Sequence, residues 1–328
     1  MDDVKVTARK RFSNPVPAEG DNGVFTQSWF PVAWSSDVPK GKVIGREFLD
    51  GKIVIFRGEN GRAVATSAYC AHVGADLSVG EVVGNNLRCA FHHWEYNQDA
   101  RLERTGMGVK PPQNACLFRF PTEEHYGIIW VFNGETPLFE IPQFPIPEED
   151  LEIAVAYEPT VLHCDPWVFS ANTPDIQHIK VVHKVSFDGE DPHARATWRQ
   201  YGFRFDYKGI DQGGVPVEYT LGIEGTSIFF RHGNHGGFWR GSVVGFGLPK
   251  PGYLVMYSIN AVPKGPKAKE QLEMATFLSR RTLSEDKAIM DSLHYRPGYL
   301  IDGDQSLAKF LNYIRAYPRA HPSAEFIR

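Results

Sequence analysis

The chain has 328 residues, 42% hydrophobic and 23% charged, which is enough apolar material for two packed domains and too much for a disordered chain. A formal charge of −4 gives no global attraction to nucleic acid or an anionic membrane, and four cysteines are too few for a disulfide-stapled scaffold. The 31 glycines and 23 prolines are dispersed, which points to many turns and a β-rich protein.

The N-terminal stretch Met1 to Phe12 is charged and has no apolar segment, so no secretory leader is expected there. Apolar runs such as 127–132 fall far short of the ~20 residues that span a bilayer. A cytoplasmic protein engaging neither membrane nor nucleic acid is expected, with reduced thiols free to bind metal. No internal repeat is present. From Phe30 to Phe132 short β-type runs (52–56, 63–66, 127–132) alternate with Gly, Asn and Asp, and Asp50-Gly51 suits a hairpin turn. Residues 136–150 hold Pro137, Pro142, Pro145 and Pro147 and read as a linker, which places a first domain at 1–148 and a second at 149–328. In the second, 167–183 reads as a helix with Pro174 in a first turn or a bend. Strands follow at 201–207, 217–224, 227–232, 242–246 and 252–262, then helices at 285–293 and 305–317. The class is α+β: an all-β module, then a sheet with helices.

Cys70-Ala71-His72 is followed, sixteen residues on, by Cys89-Ala90-Phe91-His92. Two short loops, each offering one thiolate and one imidazole, supply what a [2Fe–2S] cluster of Rieske type needs: Cys70 and Cys89 on one iron, His72 and His92 on the other. A tetrahedral zinc site could use the same atoms, but its loops usually pair Cys with Cys and His with His.

Further along, Asn172, Asp175, His178 and His183 form N-x2-D-x2-H-x4-H. Asp175 and His178, three apart, share a helix face. His178 and His183, five apart, diverge by about 140° on an ideal helix, so reaching one metal requires an irregularity such as a π-type bulge. Two histidines and one carboxylate with open positions make the facial triad of non-haem Fe(II) oxygenases. The carboxylate must come from afar, with Glu285, Asp286 and Asp291 as candidates. Asp286 falls on an apolar stripe with Leu283, Ile289, Met290 and Leu293, a costly place for an unpartnered acid. The competing reading is a helix start capped by Ser284, with acids in its first turn.

These segments resemble the Rieske non-haem iron oxygenases, with Ala90 and His93 where that family usually has Pro and Gly. The resemblance covers the chain from about Phe30 to the C-terminal helix. It implies a Rieske domain followed by a helix-grip catalytic domain, assembled head to tail as a homotrimer. It also implies His178, His183 and Asp286 as ligands of a mononuclear iron. Asp175 becomes an acid that bridges a neighbouring subunit's cluster histidine (the equivalent of His92) to His178, and Asn172 a residue near the iron. His72 to Ser78 and Phe91 to Trp94 are similar to ketosteroid hydroxylase-type members, which suggests an apolar, polycyclic or aromatic small-molecule substrate. The expected activity is O2-dependent monooxygenation, either hydroxylation or oxidative demethylation. The alternatives are an aromatic cis-dihydroxylating dioxygenase and a Rieske electron carrier without oxygenase activity. No G-x-G-x-x-G after a strand and no plant-type C-x4-C-x2-C occurs, so NAD(P)H is expected to act through a separate reductase, with or without a ferredoxin.

Lesser signals are read conservatively. His232, Asn234 and His235, before two glycines, suggest a polar loop. Cys164 reads as structural and Cys116 as a small core residue of a strand. Phe169, Val182, Phe229, Phe230, Phe238 and Trp239 are candidates to line an apolar pocket.

Overall fold

A computed structural model of the chain describes residues 14–189 and 192–328; the charged stretch Met1 to Phe12 lies outside them. The longer strands of the first half are β1 (Trp29–Trp34), β2 (Val43–Phe48), β3 (Gly51–Arg57), β4 (Ala63–Ser67) and β5 (Ile128–Phe132). The hairpin turn between β2 and β3 is Leu49-Asp50, one residue before the expected Asp50-Gly51: Phe48 pairs with Gly51, and Leu49 and Asp50 take the left-handed region that lets two residues reverse the chain. β2, β3 and β4 form an antiparallel sheet with Arg119–Phe120, and β5 pairs with β1. A separate antiparallel sheet of four short strands, from Glu81 to Arg104, carries the second Cys/His loop between two of them.

The second half is one eight-stranded antiparallel sheet. Its long strands are β6 (Leu151–Leu162), β7 (Gly202–Ile210), β8 (Pro216–Glu224), β9 (Ile228–His235), β10 (Phe238–Gly247) and β11 (Leu254–Pro263). The order is β6-β11-β10-β9-β8-β7, and both Ser186–Phe187 and Ala196–Arg199 pair with β7 at the far edge. In β7 and β8 the period-2 pattern sends Phe203, Phe205 and Tyr207, and Val217, Tyr219, Leu221 and Ile223, into the interior. The helix α3 (Ala268–Ser292) lies against β6 and β11, and so grips the sheet. Its buried residues Ala275, Leu278, Ser279, Asp286 and Met290 recur at three, four and seven, the stripe of a helix with one inward face.

The two halves share a core. Trp29, Trp130 and Phe132 pack with Ile228, Phe230, Tyr257 and Ile259. Gly245 is required at this seam, because a Cβ there would sit 2.5 Å from the Trp130 ring. The C-terminus returns to the first half: Ile327 joins Phe25, Phe30 and Phe48, and Arg319–Ala320 pairs with Phe25–Thr26. Among the described residues no helix is long and apolar enough to cross a membrane.

Several sequence expectations are corrected. Residues 167–183 are not one helix but α1 (Pro166–Ser170) and α2 (Ile176–Val181), with Pro174 in the bend before the α2 N-cap. The α-helix at 285–293 is only the last third of α3, so Ser284 is interior and its hydroxyl donates to the Arg281 carbonyl, not to a cap. Ile289 is 45% exposed and off the buried stripe. His232, Asn234 and His235 belong to strand β9, and the turn is confined to Gly236 and Gly237. Cys116 is exposed, at an isolated bridge to Arg101.

Candidate functional site

The two Cys/His loops have the same backbone design. Cys70 N–H donates to Ala75 O and Gly74 N–H returns to Cys70 O, each at 2.9 Å. Cys89 N–H donates to Trp94 O at 2.9 Å and His93 N–H returns to Cys89 O at 3.1 Å. Both loops therefore pivot on a left-handed residue four after the cysteine, Gly74 (φ 78°) and His93 (φ 52°). Gly106 abuts the second loop, where a Cβ would lie 2.3 Å from the His92 carbonyl oxygen. The loops turn Cys70 and Cys89 inward to burial and leave His72 and His92 exposed, their Nδ1 atoms 3.1 Å apart. His72 stacks on Trp94 with ring centroids at 4.4 Å. Burial pushes the Cys70 thiol up, so a bound cation is what would hold it as thiolate. Two buried sulfurs behind two outward imidazoles fit a cluster with one iron of each ligation.

Tyr96 was not singled out in the sequence. Its hydroxyl oxygen accepts from Ala71 N–H at 3.0 Å and lies 3.1 Å from Cys70 Sγ, to which it donates when Cys70 is a thiolate. The only local signal was an aromatic residue two after Trp94.

The second cluster of ligating atoms is in the second half of the chain. Ligand atoms of His178, His183 and Asp286 lie within 4.8 Å of one another. His178 and His183 approach Nε2 to Nε2 at 3.0 Å, and Asp286 Oδ1 lies 3.1 Å and 3.4 Å from these nitrogens. No π-bulge achieves this. Helix α2 ends at Val181, Val182 N–H still bonds His178 O at 2.8 Å, and Lys184 turns left-handed (φ 53°), so His183 swings back from beyond the helix end. Asp286 is 6% exposed, and its Oδ1 has no hydrogen-bond partner despite the two nearby imidazoles. Three ligand atoms converging on one point, with the buried carboxylate oxygen left unsatisfied, fit a divalent metal.

Glu285 has a different role from its neighbour. Its Oε2 accepts from His183 Nδ1 at 2.7 Å, and Gln212 Nε2 donates to its Oε1 at 2.6 Å. That bond holds the His183 proton on Nδ1 and frees Nε2 as the lone-pair donor. Asp291 is remote from the cluster and pairs with His163 at 2.7 Å. Asp175 caps α2, its Oδ1 accepting from His178 N–H at 3.0 Å, and burial raises its carboxyl above the usual range. Asn172 lines the cavity beside the triad and its Nδ2 is buried without a partner.

That cavity has a volume of about 170 Å³. Phe169 and Phe229 line it, as the sequence suggested, with Val185, Leu221, Val244 and Phe246; Phe230 is core, and Val182, Phe238 and Trp239 lie outside it. Its walls also include Arg231, Arg240 and Arg281.

Known proteins bear directly on both centres. Residues 28–121 match the family described as the Rieske [2Fe-2S] domain. Residues 28–121 are a Rieske domain. The oxygenase subunit of vanillate O-demethylase from a Pseudomonas species is 29% identical over 228 residues, 67% of this chain and 57% of that protein. The chain spans between 24% and 58% of the length of the first curated relatives it matches. Pseudomonas putida NdmA with caffeine shares the fold at TM-score 0.70 and 21% identity, covering 88% of this chain and 89% of that one. Dicamba monooxygenase with non-haem iron and dicamba does so at TM-score 0.60 and 16% identity, covering 88% and 95%. Relatives and structural neighbours of the Rieske domain and its partner sheet thus include Rieske oxygenase terminal components. The cofactors of such a pairing are a Rieske cluster and a mononuclear non-haem iron.

Proposed function

We propose that this chain is the terminal oxygenase of a Rieske system, inserting one oxygen atom into a small organic substrate by hydroxylation or oxidative demethylation. The observation that carries the reading is the convergence of His178, His183 and the orphaned Asp286 oxygen at the wall of a largely apolar cavity. On this reading Cys70, His72, Cys89 and His92 hold the cluster, and His178, His183 and Asp286 hold the iron. With both metals bound, the centre supplies O2 activation: R–H, O2, two electrons and two protons give R–OH and water.

The chain's own residues set the conditions for that chemistry. Glu285 fixes the tautomer and orientation of His183, and Gln212 fixes Glu285. Phe169, Phe229 and Phe246 keep bulk water from the reacting carbon. Asp175 couples the cap of α2 to His178, and we assign it the path by which a neighbouring subunit's cluster reaches this site. Asn172 offers a free amide donor at the cavity wall. The electron-storing unit is assigned to 1–148 and the catalytic unit to 149–328, in a homotrimer fed by a separate reductase.

Iron and acid-labile sulfide per chain, with EPR after dithionite reduction, test the reading. About three irons, about two sulfides and an average g near ~1.9 are expected from mixed His and Cys ligation plus one further iron. Two irons that stay at two after Fe(II) reconstitution would leave only an electron carrier. Turnover under 18O2 gives one labelled oxygen in the product for a monooxygenase and two for a cis-dihydroxylating enzyme.

A further inference from the structure

One end of the cavity wall holds two guanidiniums, Arg231 and Arg240, that none of the wall's three carboxylates (Asp211, Glu285 and Asp286) pairs. Arg240 is 1% exposed, and its guanidinium bonds only neutral groups: Ser279 Oγ at 3.0 Å, Ser242 Oγ at 3.3 Å and Asn260 Oδ1 at 3.4 Å. Its Nε is buried with no partner. Arg231, opposite Ser242 in the β9–β10 register, stacks on the Tyr219 ring at 5.1 Å, and its Nε is likewise unpartnered. Among the described residues neither guanidinium has a carboxylate within ion-pair distance. Arg281 does, in Asp211 at 3.2 Å.

The acids of the same wall are engaged elsewhere: Asp211 with Arg281, Glu285 with His183 and Gln212, and Asp286 beside His178 and His183. His235 lines the same cavity, and burial first, then the Arg240 charge, lowers its pKa to about 4, so it is neutral at pH 7. Burial lowers Arg240 to about 9, which leaves it cationic at pH 7. A buried charge without a counterion is among the costliest features a fold can carry. One that lines a cavity, beside a second cation, is a built receptor for an anion.

We infer that the substrate carries a carboxylate or similar oxyanion bound by Arg240 and Arg231, with its reacting carbon at the opposite end of the molecule. The inference rests on the oxygenase reading for which end reacts. Ser279, which holds Arg240, and Asp286 lie on the same face of α3, seven residues or about 10 Å apart. One aromatic ring with an acid at one end and a small substituent at the other spans that interval. The volume agrees: about 170 Å³ here, against the roughly 150 Å³ that admits benzene in an engineered protein cavity. The walls are apolar as the sequence suggested, but one end is charged and the space suits one ring rather than a polycyclic molecule.

The test is equilibrium binding of 4-methoxybenzoate and 4-methoxybenzamide to the iron-loaded protein by calorimetry, alongside iron analysis. The acid is expected to bind at least roughly tenfold more tightly than the amide, the yield of one charge-assisted bidentate contact. Arg240→Met should abolish that preference while Arg240→Lys retains part of it, with iron content unchanged in both. Equal binding of acid and amide, failure of both to bind, or a preference that survives Arg240→Met would overturn the inference. Should Arg240→Met not fold, the acid–amide comparison in the wild type and Arg240→Lys still decides. Binding needs no turnover, so missing mononuclear iron alongside a retained acid preference would sink the oxygenase reading and spare this one.

Discussion

As a cluster ligand Cys70 is a thiolate and can only accept, so the Tyr96 hydroxyl at 3.1 Å donates to its sulfur while its oxygen accepts from Ala71 N–H. A hydrogen bond to a cluster sulfur withdraws electron density and favours the reduced state. Tyr96→Phe should therefore lower the cluster's reduction potential in a spectroelectrochemical titration, with the cluster's absorption otherwise retained; an unmoved potential would remove Tyr96 from the tuning. Glu285 bears on the proposed mononuclear iron through His183. Glu285→Gln cannot draw the Nδ1 proton as strongly, and removal of such an outer partner costs roughly 10–100-fold in metal affinity. Fe(II) titration of the variant should show that loss while the cluster spectrum stays constant. The four residues we assign to the cluster stand out in the sequence because each loop brings two of them within a few positions of each other. Tyr96 and Glu285 were not legible in these roles, because each acts on an atom that only the fold brings near.

At the scale of elements, local chain reversals do the positioning. The first cluster loop uses Gly74 at its left-handed pivot and the second uses His93, which pays a steric cost that glycine avoids. His93→Gly should raise stability by about 1 kcal/mol in a denaturant titration, with the reduction potential unchanged, since the His93 ring ligates nothing in this reading. A fall in stability would mean that the His93 side chain makes a contact worth more than its strain. The same logic explains what the sequence hid in the catalytic half. The spacing of His178 and His183 required an irregularity, but whether a bulge or a helix end supplies it depends on Lys184 adopting positive φ, which no local signal demands of a lysine. Helix α3 was legible only in its last third, because Met274 and Phe277 are exposed and break the apolar periodicity upstream. Proposing Asp286 as the third ligand needed only that last third.

Across the whole molecule, one buried acid sits where the N-terminal segment, the C-terminal segment and the catalytic half meet. Glu19 is 2% exposed; its carboxylate accepts from Thr26 N–H at 2.9 Å and Thr26 Oγ at 2.8 Å, and Arg319 approaches at 3.5 Å. Its own N–H donates to Asp165 at 2.9 Å, and Thr26 continues to Thr226 at 2.8 Å. Burial outweighs the Arg319 charge and raises its pKa from 4.5 to about 7. The folded state therefore holds a proton that the unfolded chain releases, and stability from this group is complete below about pH 4.5 and lost as pH rises through about 7. The effect at full ionisation is of order 3 kcal/mol. Glu19→Gln keeps a neutral side chain that can still accept from Thr26 and donate to its hydroxyl. Thermal unfolding from pH 5 to pH 8 should show the wild type losing stability relative to Glu19→Gln, with the gap opening mostly between pH 5 and 7. Parallel curves would mean that Arg319 neutralises the carboxylate in place, and that the three segments are held by an ion pair instead of a shared proton.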